Sequence, residues 1–214
     1  MTEQQCCQLN ETDVRLGRPG PDVFVHRTAI CETQEVGSGT RIWAFAHLLD
    51  GAVVGRDCNI CDQVFIEGQA RLGDRVTVKN QALIWDGVTL EDDVFVGPGV
   101  VFTNDRYPRS GRMPQVARRA DHQENWLVPT VVGRGASIGA GAVIICGVKI
   151  GRYVAVGAGT VVTWDVPDHR LVLGNPARPV GWVCVCGRPL DDELNCPDCS
   201  RRFRLRNGDL IEAA

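Results

Sequence analysis

From Phe24 onward a large apolar residue returns at every sixth position: Phe24, Ile30, Val36, Ile42, Leu48, Val54, Ile60, Ile66, Leu72, Val78, Ile84, Leu90, Val96 and Phe102. The series then breaks off and resumes in the same phase at Val132, Ile138, Ile144, Ile150, Val156 and Val162. A second series of small or β-branched residues runs four positions behind each member, as at Ala52, Cys58, Val64, Ala70, Val76, Ala82, Val88, Val94 and Val100, and later Ala136, Ala142, Val148, Val154 and Thr160. Glycine often follows the main series directly, as at Gly37, Gly55, Gly73, Gly97, Gly133, Gly139, Gly151 and Gly157. A helix would bring apolar residues back three and four positions apart, and a half-buried strand every second position. A period of six fits a short strand plus a corner. The aliphatic residue points inward, the small residue fills the inside of the corner, and glycine permits the turn. Three such sides close a triangular coil of about eighteen residues, and stacked coils pair each strand with the coils above and below.

Between the two runs lies Thr103–Pro129, TNDRYPRSGRMPQVARRADHQENWLVP, which is polar, charged and punctuated by proline. Because the repeat resumes in register, this stretch reads as a loop thrown out from one corner, and loops of that length are usually functional or mobile. About five coils precede or straddle it and about two follow. The repeat falls silent after Trp182. The expected organisation is a flexible segment 1–21, a coil domain 22–183 with a protruding loop 103–130, and a cysteine-rich tail 184–214.

The apolar share of 44% with only 6% aromatics suits a core packed by small and branched side chains. A formal charge of -3 over 214 residues supplies no electrostatic reason to expect nucleic acid, while local Lys and Arg remain available for phosphates. There is no apolar run of about 18 residues. The opening stretch Met1 to Asn10 is polar without a signal-peptide core. No membrane association and a cytoplasmic location are therefore expected, with the ten cysteines reduced or metal-bound. Cys184, Cys186, Cys196 and Cys199 read as two metal knuckles, the first one residue tighter than the usual pair. Four thiolates make a closed tetrahedral zinc site, whose value is to fold a ribbon-like tail too small for a core of its own. Cys58 belongs to the interior series, and Cys6 and Cys7 carry no assigned role.

Several stretches are more particular: Arg41–His47 (RIWAFAH), Lys79-Asn80-Gln81, Trp85–Pro98 (WDGVTLEDDVFVGP), Phe102–Arg106 (FTNDR), Pro108–Ser110, Gly135–Ala140 (GASIGA) and Gly174–Arg178 (GNPAR). Together with the six-residue repeat they resemble the hexapeptide-repeat acyltransferases. Within these the resemblance is to bacterial N-acetyltransferases of UDP-linked 3-amino sugars, the UDP-2-acetamido-3-amino-2,3-dideoxyglucuronate enzymes. The dTDP-3-amino-6-deoxyhexose enzymes are close in pattern. The resemblance implies a left-handed parallel β-helix, an exception to the right-handed crossover rule that the spacing alone does not reveal. It also implies acetyl-CoA as cosubstrate, a nucleotide-sugar acceptor, and a homotrimer with sites between the adjacent β-helices of its subunits, each loop reaching towards a neighbouring subunit. The chain departs from the branch where Asn80 is followed by Gln81 in place of a second Asn, and in its cysteine-rich tail.

The implied reaction is direct attack of a sugar amine on a thioester. It needs a neutral amine, alignment with the carbonyl and stabilisation of a tetrahedral oxyanion, for which a backbone N–H suffices. Asn80 is the leading polar residue, since an amide orients a reacting group without titrating; its plainer role is an amide ladder between coils. His47 is the candidate base; the departing CoA thiolate is the alternative proton acceptor, and simple packing is the plain role. By resemblance Asn104, Asp105 and Arg106 contact the nucleotide-sugar, with Arg106 or Arg109 facing a phosphate or carboxylate; the alternative is a turn cap with solvated charge. Glu67 and Asp86 are corner carboxylates suited to sugar hydroxyls or simply to solvent. The Gly139-Ala140 and Gly157-Ala158 turns suit close approach of a pantetheine arm. Asn175, Pro176 and Arg178 resemble the CoA-binding end, with Lys149 available for CoA phosphates. Three other readings stay open. They are a three-histidine zinc site, which the spacing of His26, His47, His122 and His169 does not support; another acceptor such as serine or an antibiotic; and a non-catalytic β-helix scaffold.

Overall fold

The computed structural model of the chain describes Gly20 and residues 22–213. The expected N-terminal segment, including Cys6 and Cys7, lies outside the described residues apart from Gly20. From Phe24 to Trp182 the chain winds through short strands, most of two residues, that fall into three sheets of nine, seven and five strands, parallel but for the last strand. In the nine-strand sheet the last strand, Arg178–Trp182, is the exception and returns antiparallel on Arg170–Leu173. The chain visits the nine-, seven- and five-strand faces in turn and so forms stacked coils of triangular section; the fold is a left-handed parallel β-helix. Successive coils pair at a separation of eighteen residues: Ile42 with Ile60, Ile60 with Val78, Leu48 with Ile66, Val54 with Leu72.

Burial follows the two series. Ile42, Leu48, Ile60, Ile66, Val78, Ile84, Val96, Phe102, Val132, Ile138, Ile144 and Ile150 are fully enclosed, as are the small residues Ala52, Ala70, Ala82, Ala136 and Ala142. Each buried aliphatic stands over its equivalent in the next coil about 4.8 Å away, so one continuous apolar column runs the length of the prism.

The structure corrects the repeat in two places. Phe24 and Ile30 face outward, and their neighbours Val25 and Cys31 take the inward register against Ile42 and Leu48. Inward Val36 follows inward Cys31 after five positions instead of six, and buried Thr33 fills the shortened corner by donating its hydroxyl to the Ala52 carbonyl at 2.7 Å. The glycines behind the main series also do a different job from the one expected. A Cβ on Gly139 would stand 2.5 Å from the backbone nitrogen of Ala158 in the next coil, so what is required there is close stacking. The left-handed backbone sits two residues later, for example at Gln81, Gly99, Gly141 and Gly159, with φ between +63° and +66°.

Between Phe102 and Thr130 the loop folds back on the coil, with a short helix α1 at Ala117–Ala120 and a 3-10 turn at Gln123–Asn125. An antiparallel bridge between Asp105 and Leu127 pins its base. Beyond Trp182 a small second core gathers Cys184, Cys196, Phe203 and Leu210, closed by a hairpin of Phe203–Arg206 on Asp209–Glu212.

Candidate active site

The corners align into three edges of the prism, and each carries a different chemistry. Where the nine-strand face turns into the seven-strand face, three coils have corners with almost no side chain: Gly97-Pro98-Gly99, Gly139-Ala140-Gly141 and Gly157-Ala158-Gly159. Added Cβ atoms on Gly99, Gly141 or Gly159 would meet nothing within 4 Å, so this strip is open and smooth. Asn80 lies at the upper end of the strip, exposed, its carbonyl accepting the N–H of Gly99. The amide ladder between coils is made by its neighbour Gln81, which donates to Gln63 at 2.9 Å, and the Asn80 side chain makes no hydrogen bond among the described residues. The turn holding Asn175, Pro176 and Arg178 closes the lower end. There Gly174 accepts from Val161 N–H, and buried Ala177 donates to the Val161 carbonyl. The sequence signal for this strip was the glycine after the main series in equivalent corners, with the Gly139-Ala140 and Gly157-Ala158 turns.

At the next edge, between the seven- and five-strand faces, the corners are polar and the long loop covers them. Glu67 accepts the Asp86 N–H at 2.7 Å, and burial raises its carboxyl above the usual range. Asp86 accepts the Gln69 N–H at 2.8 Å and the Gln123 side-chain amide at 3.2 Å, while Gln123 also accepts from Gln69 at 2.7 Å. Asp86 is thus a tether between corner and loop. Asp105 is likewise engaged: Arg119 of α1 donates to both its oxygens, at 2.8 and 2.5 Å, and holds its carboxyl below the usual range. Arg106 donates to the Cys146 carbonyl at 3.2 Å and lies against Gly147. With Arg119, Tyr107, Trp126 and Val128 it lines a cavity of about 360 Å³. Asn104 is partly exposed at the loop base, its carbonyl accepting from Val128, and Arg109 projects into solvent at the loop tip. Gln69, Arg119 and Gln123 were not singled out in the sequence, because nothing local relates them to Asp86 or Asp105.

His47 stands on the seven-strand face near the same edge. Its Nε2 is 2.7 Å from an oxygen of Glu32 in the coil above, and its ring meets Phe65 edge-on, which in turn meets Trp85. Glu32 also escaped the sequence reading. The outward residues of this face are otherwise apolar from end to end: Ile30, Phe65, Leu83, Val101, Val143 and Val161. Within one chain the predicted residues therefore fall into two groups on either side of this face. Asn80, Gly139, Ala140, Gly157, Ala158 and the Asn175–Arg178 turn share one edge, and Glu67, Asp86 and Asn104–Arg109 share the other. Lys149 joins neither group. It points from the five-strand face into a groove of about 500 Å³ shared with the tail.

In the tail, the sulfur atoms of Cys184, Cys186, Cys196 and Cys199 all lie within 4.8 Å of one another. Cys184 is 3.4 Å from Cys199 and Cys186 is 3.5 Å from Cys196. These separations are far beyond a disulfide bond of about 2.05 Å. They are near the roughly 3.8 Å edge of a tetrahedron with zinc–sulfur bonds of about 2.3 Å.

Residues 129–163 match a family described as bacterial transferase hexapeptide (six repeats). Over 188 residues, 86% of this chain and 92% of the relative, the sequence is 50% identical to the dTDP-3-amino-3,6-dideoxy-alpha-D-galactopyranose 3-N-acetyltransferase of Aneurinibacillus thermoaerophilus. Among solved structures, the chain is similar to a hexapeptide-repeat acetyltransferase from Vibrio cholerae complexed with acetyl coenzyme A. The TM-score is 0.51 at 28% identity, over 63% of this chain and 72% of that one. A GDP-perosamine N-acetyltransferase variant from Caulobacter crescentus, complexed with CoA and GDP-perosamine, matches 78% of this chain at 23% identity with a TM-score of 0.41, and the match spans 57% of its own length.

Proposed function

This chain belongs to the hexapeptide-repeat N-acetyltransferases of nucleotide-linked 3-amino sugars, and from that premise we propose that it transfers the acetyl group of acetyl-CoA to the 3-amino group of a dTDP-linked 3-amino-3,6-dideoxyhexose. The observation that carries this reading is the 50% identity to a dTDP-sugar enzyme over 86% of this chain. It moves the nucleotide preference from UDP, favoured by the sequence motifs, to dTDP.

The reaction forms one bond from the sugar nitrogen to the acetyl carbonyl carbon and breaks the carbon–sulfur bond. The attacking amine gives up a proton, and the thiolate departs. In this reading the smooth glycine edge receives the pantetheine arm. Asn80, with its unengaged amide, orients the reacting groups there. His47, its tautomer set by Glu32, takes the proton. Arg106 and Arg109 meet the diphosphate of the acceptor, with Asn104 beside them, while Asp105, Glu67 and Asp86 hold the loop that presents those residues. Alignment of two bound reactants supplies most of the acceleration.

The two groups of residues occupy different edges of one prism, so a complete site requires the glycine edge of one chain to meet the loop edge of another. A homotrimer packed through the apolar seven-strand face satisfies this and covers an exposed apolar stripe. Among the described residues no helix is long and apolar enough to cross a membrane. A cytoplasmic enzyme fits the substrates proposed, with domains at 22–183 and 184–214 and loop 103–130. The cysteine tetrad is read as a structural zinc site, because four soft donors leave no open position for catalysis.

Release of CoA thiol, measured against a panel of dTDP- and UDP-linked 3-amino sugars and serine, tests the assignment. Turnover confined to serine, or absent with every amino sugar, rejects it.

A further inference from the structure

The tail does more than sit beside the coil: its small core is continuous with the last coils through a stack of rings. Phe203, one of the four buried residues of the tail, lies 5.7 Å from His169. His169 stacks on Tyr153 at 5.1 Å, and Tyr153 in turn covers Gly135 of the preceding coil, where an added Cβ would be 2.6 Å from the tyrosine ring. Backbone and ring bind the same partner, since the His169 carbonyl accepts the Val183 N–H at 2.8 Å and its Nδ1 lies 2.9 Å from the Val183 carbonyl. The Arg170 guanidinium sits 3.7 Å over the Trp182 ring. The hairpin residues Leu210 and Ile211 face Val166 and Pro167 across the groove at the end of the five-strand face.

Two of the four buried residues of the tail core, Cys184 and Cys196, are members of the sulfur tetrad. Without a bound ion, Phe203 and Leu210 are the buried large apolar side chains left to hold residues 184–213, among the described residues. That is too little for an independent fold of this size. Solenoids also need their ends closed, because the terminal repeat has neighbours on one side only.

We propose that zinc bound by Cys184, Cys186, Cys196 and Cys199 fastens the tail as an end cap on the coil, so that the metal stabilises the last coils from outside them. This rests on the zinc reading above and adds to it a mechanical connection running from Phe203 through His169 to Tyr153. The connection predicts that metal occupancy is felt in residues 149–174, which contain none of the ligands.

The test uses the full chain purified without chelator, with zinc quantified and amide hydrogen exchange followed before and after metal removal. One zinc per chain is expected. Its removal should expose residues 183–212 to exchange and to trypsin at Arg201 and Arg202. It should accelerate exchange across 149–174 by at least about 10-fold, leave residues 42–100 unchanged, and be reversed on adding zinc back. Phe203→Ala, which leaves all four thiolates in place, should keep the zinc yet loosen 149–174, so the connection is tested without touching a ligand. Absence of zinc from the purified protein overturns both the metal and the cap. One zinc per chain with exchange in 149–174 indifferent to its removal, or indifferent to Phe203→Ala, overturns the cap alone.

Discussion

His47 Nε2 stands 2.7 Å from the carboxylate of Glu32, fifteen residues earlier in the chain and one coil away. A carboxylate at that distance sets the imidazole tautomer and leaves the other ring nitrogen to exchange a proton with substrate. His47→Ala is expected to lower kcat by about 10²–10⁴ with the melting temperature little changed, because the ring lies outside the buried column. Glu32→Gln, which keeps the shape and loses the charge, should produce a smaller fall. A loss under about 10-fold for His47→Ala assigns the proton to the departing thiolate.

Asp105 and Arg119 clamp the loop base through two hydrogen bonds. Arg119→Ala is expected to raise KM for the nucleotide-sugar by about 10-fold while leaving KM for acetyl-CoA nearly unaltered, an effect of about 1.4 kcal/mol in acceptor binding. Steady-state kinetics with each substrate varied in turn decides it; equal effects on both constants would mean that the loop serves the whole site.

The same pair predicts a pH dependence. Arg119 holds the Asp105 carboxyl below its ordinary value, so its contribution is complete above the unfolded value of about 3.9 and disappears as pH falls through the lower folded one. Trp126 lines the same cavity as Arg119 and reports on it. Tryptophan emission of the wild type should change on acidification below about pH 4, and the change attributable to this cavity should be missing from Arg119→Ala.

Two glycines in one corner should respond differently to the same substitution. Gly139→Ala forces a Cβ to 2.5 Å from the Ala158 nitrogen, backbone against backbone, and is expected to cost about 3 kcal/mol or more. Gly141→Ala enters open space and pays only for a left-handed φ of +64°, about 1 kcal/mol. Chemical denaturation of both variants ranks them, and the reverse order would contradict the stacking geometry.

Leu83 lies midway along the apolar seven-strand face, pairing with Phe65 and Val101. Leu83→Arg should dissociate the proposed trimer and abolish turnover while the coil keeps its β circular dichroism. A monomeric variant that retained full activity in sedimentation and kinetic assays would show that one chain suffices.

The coil was legible because its cause is local. A strand of two residues and a corner of four consume six residues, so inward positions such as Ile60, Ile66 and Leu72 announce themselves at constant spacing. The reading slipped at Phe24 and Ile30, whose hydrophobicity fits the period although the shortened corner at Thr33 shifts the inward positions to Val25 and Cys31. The candidate site was legible in part. Asn80 and the Gly139-Ala140 and Gly157-Ala158 turns recur in phase, whereas Glu32 beside His47 and Gln123 beside Asp86 have no spacing rule, since a coil pitch and a folded loop bring them together.

The amino-acid order by itself determined that the chain coils, where the coil is interrupted, and that four cysteines close the tail, because each of these depends on spacing along the backbone. Only the tertiary structure decided that Asn80 and Asp86 sit on opposite edges of one face, that Lys149 turns towards the tail, and that His169 joins tail to coil. Those relations are set by which side of a three-sided prism a residue occupies and by which coil lies above it, and neither is a property of neighbouring residues in the chain.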